Sequence, residues 1–215
     1  MMKHSLRGLL FVAVVAGCGE GHAAATDSDR ADSLARVRQD SVNRAQPGYI
    51  VDSILPVEEQ LRRFRAGLSA SQELNGAAPS RDLLIRSLFR SLESADTTAL
   101  VRLTISRAEF AYLVYPESPF SSPPYAQAPD LVWMRHAAAS STGLKRLLGR
   151  VAGSPLWLRS WSCREPPTIE GANRIWRDCT VRFAPEAGDM QTLQLFSSII
   201  ERQGRFKILS YANAF

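Results

Sequence analysis

Three cysteines are the residues whose chemistry depends most on spacing: Cys18 near the start, and Cys163 and Cys179 close together near the end, with His136 ahead of them. A structural zinc site takes four nitrogen or sulfur ligands, with close pairs in the sequence. Cys163 and Cys179 have only His136 for company, so no metal and no cofactor is expected. Asp178, Tyr112, Tyr115, His136 and Tyr211 are of types that serve general acid–base catalysis, yet each stands without a partner at motif spacing and is read as structural. There is no Gly-x-Ser-x-Gly elbow and no glycine loop built to cradle phosphate, and the serines and threonines lack an accompanying His/Asp pattern. No catalytic residue is nominated.

Cys18 sits in a different context. Lys3, His4 and Arg7 form a basic segment, and Leu9 to Val15 form a short apolar run. A membrane-spanning helix needs roughly 20 apolar residues, whereas the apolar region of a secretory signal needs only about 7 to 15. The run therefore reads as an export signal. The residues that close it, Val15-Ala16-Gly17-Cys18, resemble the lipobox of bacterial lipoproteins. That resemblance implies a signal peptide over residues 1–17, cleavage before Cys18, and diacylglycerol and palmitate-type acyl chains on the new N-terminal cysteine. The alternative is an ordinary signal cut near Ala23-Ala24-Ala25. Gly19 stands where inner-membrane lipoproteins of this kind often carry aspartate, so the expected address is the periplasmic face of the outer membrane. The bilayer is then the first partner, held durably because each buried methylene contributes about 0.8 kcal/mol.

The elements that would position the remaining residues follow from composition. A hydrophobic share of 45% with 22% charged residues describes an ordinary globular chain long enough for one domain and a tail. Of the 26 basic residues, loss of Lys3 and Arg7 leaves 24 against 21 acidic ones, too even a balance to point to nucleic acid. Residues 18–47 are small and polar and predict a flexible linker, with a thin Leu34, Val37, Val42 stripe that would allow a transient helix over 32–44. The domain is expected over 48–215. Pro56 and Glu58-Glu59 open a first helix carrying Leu61, Phe64 and Leu68, and the order of acidic then basic residues suits the helix dipole. Ser80 caps a second helix with Leu83, Leu84, Leu88, Phe89 and Leu92 inward, Asp96 caps a third with Leu100, Val101 and Leu103, and Ser106 starts a fourth with Phe110 and Leu113. The proline-rich stretch 115–129 predicts an ordered surface loop, and helical segments interrupted near Gly143 come after it.

From Leu156 the period changes to two, which predicts an antiparallel meander of four strands over 156–163, 175–183, 190–202 and 205–213. In this pattern Trp157, Arg159, Trp161 and Cys163 share one face. A hairpin centred on Gly171 sets residue 163 opposite residue 179, so Cys163 and Cys179 form either a disulfide, favoured in an oxidising compartment, or two buried thiols.

Helices followed by a curved meander, ending in Gly204-Arg205-Phe206-Lys207-Ile208-Leu209-Ser210-Tyr211, resemble the nuclear transport factor two-like superfamily with its SnoaL-like branch. Ser94-Ala95-Asp96 before Ala99-Leu100 resembles a break in the first helices of that superfamily. The resemblance implies an α+β, cone-like single domain with a pocket, in a superfamily holding both enzymes and binders. The expected function is a non-catalytic envelope lipoprotein that binds a small apolar ligand or an envelope protein, with Tyr125, Trp157, Trp161 and Trp176 as the nominated surface, although simple core packing is the favoured reading of these four. A SnoaL-like isomerase, cyclase or hydrolase and a subunit of an envelope assembly are the alternatives. Oligomeric state is left open by the sequence.

Overall fold

A computed structural model describes residues 27–46, 55–186 and 188–213. The expected export signal, the lipobox-like residues and Cys18 lie outside the described residues, as do Tyr49 to Ile54 at the expected start of the domain.

The chain divides into two units, residues 1–53 and 54–215. In the first, the expected linker contains an 18-residue helix, α1 (Asp27–Arg44). Leu34, Val37 and Val42 stay exposed on it. Its regularity therefore rests on local bonding, such as the Arg44–Asp40 pair one turn apart at 2.7 Å, rather than on burial.

The second unit is α+β, as expected. Its helices are α2 (Val57–Arg65), α3 (Arg81–Glu93), α4 (Thr97–Arg102), α5 (Arg107–Glu109) and α6 (Pro129–Val151). The caps stand where the sequence puts them. Ser80 Oγ accepts from the Leu83 amide at 3.2 Å, and Asp96 accepts from the Ala99 amide at 2.8 Å. Ser106 and Glu109 form a reciprocal capping box before a π-helical turn over Phe110–Val114. Not every inward assignment holds, since Leu83 and Val101 are exposed. The proline-rich loop is built from two short 3-10 turns, Tyr115–Glu117 and Pro119–Ser121.

No break occurs at Gly143; α6 runs 23 residues through it. Instead of ending the helix, Gly143 lets another segment touch it, because a β-carbon there would lie 1.8 Å from the Tyr211 carbonyl oxygen. The glycine buys a backbone-to-backbone approach at the usual helix-propensity cost of about 1 kcal/mol.

The strands are β1 (Leu156–Ser162), β2 (Thr168–Glu170), β3 (Asn173–Arg177), β4 (Thr180–Pro185), β5 (Gln191–Leu193), β6 (Ser198–Arg202) and β7 (Arg205–Ser210). They form two antiparallel sheets, ordered β1-β4-β5 and β2-β3-β6-β7, rather than one four-stranded meander. The second and third strands expected from the pattern are each broken once. Asp178 takes a left-handed conformation, φ 51°, between β3 and β4. Between β5 and β6 the chain leaves the strands over Gln194 to Ser197, where the adjacent Leu195 and Phe196 are both fully buried.

The expected β1–β4 register holds from Ser160 to Ser162, where Ser162 faces Thr180. One step on, Cys163 and Cys179 have Cα atoms 3.9 Å apart and sulfurs at bonding distance, 1.98 Å. Before Ser160 the register slips at a bulge, and this corrects the facing of the strand. The extra residue reverses the alternation, so Leu156, Leu158, Trp161 and Cys163 pack on the core while Trp157 faces solvent.

The β2-β3-β6-β7 sheet is covered on both faces. Trp176, Ile199 and Ile208 join a core with α3, α6 and the other sheet. Ile175, Ile200 and Leu209 join a second core with Phe64, Phe110 and Tyr115. The outer edge of β7 is capped by chain from the helical half. Ala78 exchanges two backbone hydrogen bonds with Phe206, Ile105 N–H donates to Ile208 O, and Ile208 N–H donates to Leu103 O. These bonds fix the segment 103–106 against the end of the sheet and so shape the cleft beside it.

Candidate functional site

The cleft lies within the second unit, between α3–α4 on one side and α6 on the other, with a volume of about 1140 Å³. Its apolar lining comes from Leu103, Ile105, Trp133, Ala137, Leu144 and Tyr211. Ser91, Ser94, Ser140 and Ser141 add hydroxyls, and Arg90, Arg102, Arg107 and Lys207 add cations against the single carboxylate of Asp96.

Each wall has a local reason. Tyr211 is held by two unrelated contacts: its phenol donates to Leu100 O at 2.8 Å, and its amide donates to Ser140 Oγ at 3.1 Å. Burial pushes the Tyr211 phenol well above its ordinary pKa, so it stays a neutral donor. Asp96 is committed to capping α4. Lys207 is buried and pairs with the fully buried Glu109, its ammonium donating to both carboxylate oxygens at 3.1 and 2.9 Å. The same carboxylate accepts from the amides of Asn75 and Ser106, each at 2.6 Å. A carboxylate with four donors is a clamp joining α5, β7 and the chain before α3, and its charge is neutralised where it stands.

The three arginines of the wall are less engaged. Arg90 reaches the Ser87 hydroxyl at 3.3 Å, and Arg107 stacks over the Phe64 ring at 4.7 Å. None of Arg90, Arg102 and Arg107 meets a carboxylate within 4.0 Å among the described residues.

The residues nominated from sequence fall elsewhere. Trp176 is buried, with its indole N–H donating to Glu201 at 3.2 Å, and Arg81 lies over its ring at 3.6 Å. Arg81 also faces the Trp161 ring at 5.4 Å and pairs with Glu165 at 3.4 Å. Trp161 donates toward Asp82 at 3.4 Å. The structure thus brings Trp161 and Trp176 together around one guanidinium. Trp157 is exposed on the opposite face of β1, and Tyr125 is exposed in the proline-rich loop.

The acid–base candidates are equally dispersed. Asp178 is exposed and pairs with Arg164. Tyr112 lies under the Arg65 guanidinium. Tyr115 is buried, donating to Gln127 O at 2.7 Å, and burial raises its phenol pKa. His136 stacks on Trp133 with ring centres 5.6 Å apart, and desolvation lowers its pKa, opposed by a hydrogen bond with the Leu209 backbone. Only Tyr211 lines the cleft. No group of three potential metal ligands occurs, and no helix is long and apolar enough to cross a membrane, among the described residues.

Sequence reasoning missed Glu109, Lys207 and the arginine wall. One signal was present: lysine is rare here, occurring only at 3, 145 and 207, and Lys207 interrupts an apolar strand. A lone lysine inside Phe206 to Leu209 asks for a buried carboxylate. Comparison with known families, curated proteins and solved structures returns no match for this chain.

Proposed function

We propose that this chain is a lipid-anchored envelope protein that binds, without transforming it, a small apolar molecule in the cleft between α3–α4 and α6. The cleft carries the reading. Its volume and its mainly apolar lining with a few convergent polar groups are those of a small-molecule site. The polar groups on its wall are bound up in ways that favour recognition over proton transfer: Tyr211 stays protonated, Asp96 caps a helix, and Lys207 is neutralised by Glu109. The anchor rests on residues 1–18, read as an export signal and lipobox. The juxtaposed Cys163 and Cys179 support the oxidising compartment that such an export would reach. The polar surface of α1 suits a spacer between anchor and domain.

Two experiments test the two halves of this reading. Radiolabelled palmitate should enter the wild-type chain in a bacterial host and not the Cys18→Ser variant; equal labelling of both removes the anchor. The environment-sensitive dye 1-N-phenylnaphthylamine should brighten on the wild-type protein and lose that response in Ala137→Trp, whose indole fills the cleft. An unchanged response in an Ala137→Trp variant with a wild-type circular dichroism spectrum removes the site.

A further inference from the structure

The lining of this cleft is uneven in charge, and the unevenness specifies a ligand class. Many arginines elsewhere in the domain are met by carboxylates, among them Arg62 and Arg63 by Glu59, Arg86 by Asp82, Arg174 by Glu201, Arg177 by Glu170 and Arg202 by Glu117, and two others bond neutral oxygens, Arg65 the Ala111 carbonyl and Arg135 the Gln127 side chain. The cleft lining includes the exposed Arg90, Arg102 and Arg107 from α3, α4 and α5, none of them within 4.0 Å of a carboxylate among the described residues, while Asp96, the carboxylate of the lining, is held at the start of α4. Lys207 adds no free charge, being matched by Glu109. The cleft therefore has an excess of guanidinium groups beside an apolar floor made by Leu103, Ile105, Trp133, Leu144 and Tyr211.

Resting on the proposal that the cleft binds an apolar molecule, we infer that its ligand is an amphiphilic anion: an alkyl or similarly apolar body lying on that floor, with a carboxylate or phosphate head met by Arg90, Arg102 and Arg107. Guanidinium is the side-chain group best suited to this head, since its planar donors match a carboxylate or phosphate in two parallel hydrogen bonds. The apolar body contributes affinity through buried area, and the head selects among ligands with the same body. Free fatty acids and lysophospholipids share this chemistry and differ in the head.

The test uses the full chain carrying Cys18→Ser, so that no acyl group of its own competes. Its probes are cis-parinaric acid, the alcohol with the same polyene chain, palmitate and a palmitoyl lysophosphatidic acid as competitors, and inorganic phosphate. The acid is expected to bind at least tenfold more tightly than the alcohol at low salt. The Arg90→Gln, Arg102→Gln, Arg107→Gln triple variant should erase that preference while leaving the affinity for the alcohol unchanged, which also establishes that the variant is folded. Stronger displacement of parinaric acid by the lysophosphatidic acid than by palmitate assigns the head as phosphate, and the reverse assigns it as carboxylate. Equal binding of acid and alcohol by the wild-type protein overturns the inference and leaves the apolar site standing. Binding of neither probe overturns the site as well. Displacement of parinaric acid by millimolar phosphate alone replaces the amphiphile with a small anion and also overturns the inference.

Discussion

Of the places in this domain that set arginine beside aromatic side chains, two are finished differently. On the sheet, Arg81 lies between Trp176 and Trp161, with Glu165 on its guanidinium and Glu201 and Asp82 on the two indole N–H groups. The guanidinium and both indole N–H groups each have a carboxylate there. On the cleft wall, Arg107 stacks over Phe64 and Arg90 reaches a serine hydroxyl, with the half-buried Leu103, Trp133 and Leu144 alongside. The first arrangement is a staple between α3 and the strands; the second leaves guanidinium groups and apolar area to be met by something else. Aromatic content alone does not mark a site, and the state of the neighbouring charges does.

The sharpest way to break the comparison is to undo the clamp beneath the cleft. Lys207→Met leaves Glu109 buried without its cation and should cost about 3 to 5 kcal/mol in urea unfolding, the usual penalty for an uncompensated buried charge. A loss below 1 kcal/mol means that water reaches this pair. Cys163→Ser with Cys179→Ser should cost about 3 kcal/mol under oxidising conditions, the value for a loop of this length, and nothing beyond the wild type once both are reduced. Gly143→Ala should cost roughly 1 to 3 kcal/mol despite alanine's higher helix propensity, because its methyl meets the Tyr211 carbonyl, and it should also weaken probe binding by moving Tyr211. Arg81→Ala on the staple should cost about 1 kcal/mol of cation–π and packing energy and leave probe binding unchanged. The smallest effect concerns His136, whose pKa is lowered by burial beside the cleft. Protons then bind the unfolded chain first, so this contribution is present above the ordinary histidine pKa of about 6.5 and is lost as pH falls through the lower folded value. Thermal stability should decline slightly below pH 6.5 in the wild type, and less so in His136→Gln.

Much of the fold was legible because its signals are local. Ser80, Asp96 and Ser106 cap helices where their types and positions require, and the β1–β4 register sets Cys163 against Cys179 as expected. The misreadings come from events that one residue decides and periodicity cannot register. The bulge before Ser160 turned Trp157 outward and Trp161 inward, and the left-handed Asp178 folded one predicted meander into two sheets. Gly143 looked like a helix break because a lone glycine in a helix and a glycine contact point are identical in sequence. The cleft was not legible at all. Its wall combines residues from α3, α4, α5, α6 and β7, and long-range bonds bring them together, those from Leu103 and Ile105 to β7, from Tyr211 to Leu100 and Ser140, and from Lys207 to Glu109.

The most direct test of the cleft as the binding site is quenching of tryptophan fluorescence by a doxyl-labelled stearate, compared among the wild type, Trp133→Phe and Trp157→Phe. Trp133 lines the cleft, whereas Trp157 stands exposed on β1. The account predicts saturable quenching that is largely lost in Trp133→Phe and retained in Trp157→Phe. Saturable quenching that survives Trp133→Phe and disappears with Trp157→Phe contradicts it and moves the binding surface to the outer face of the sheet.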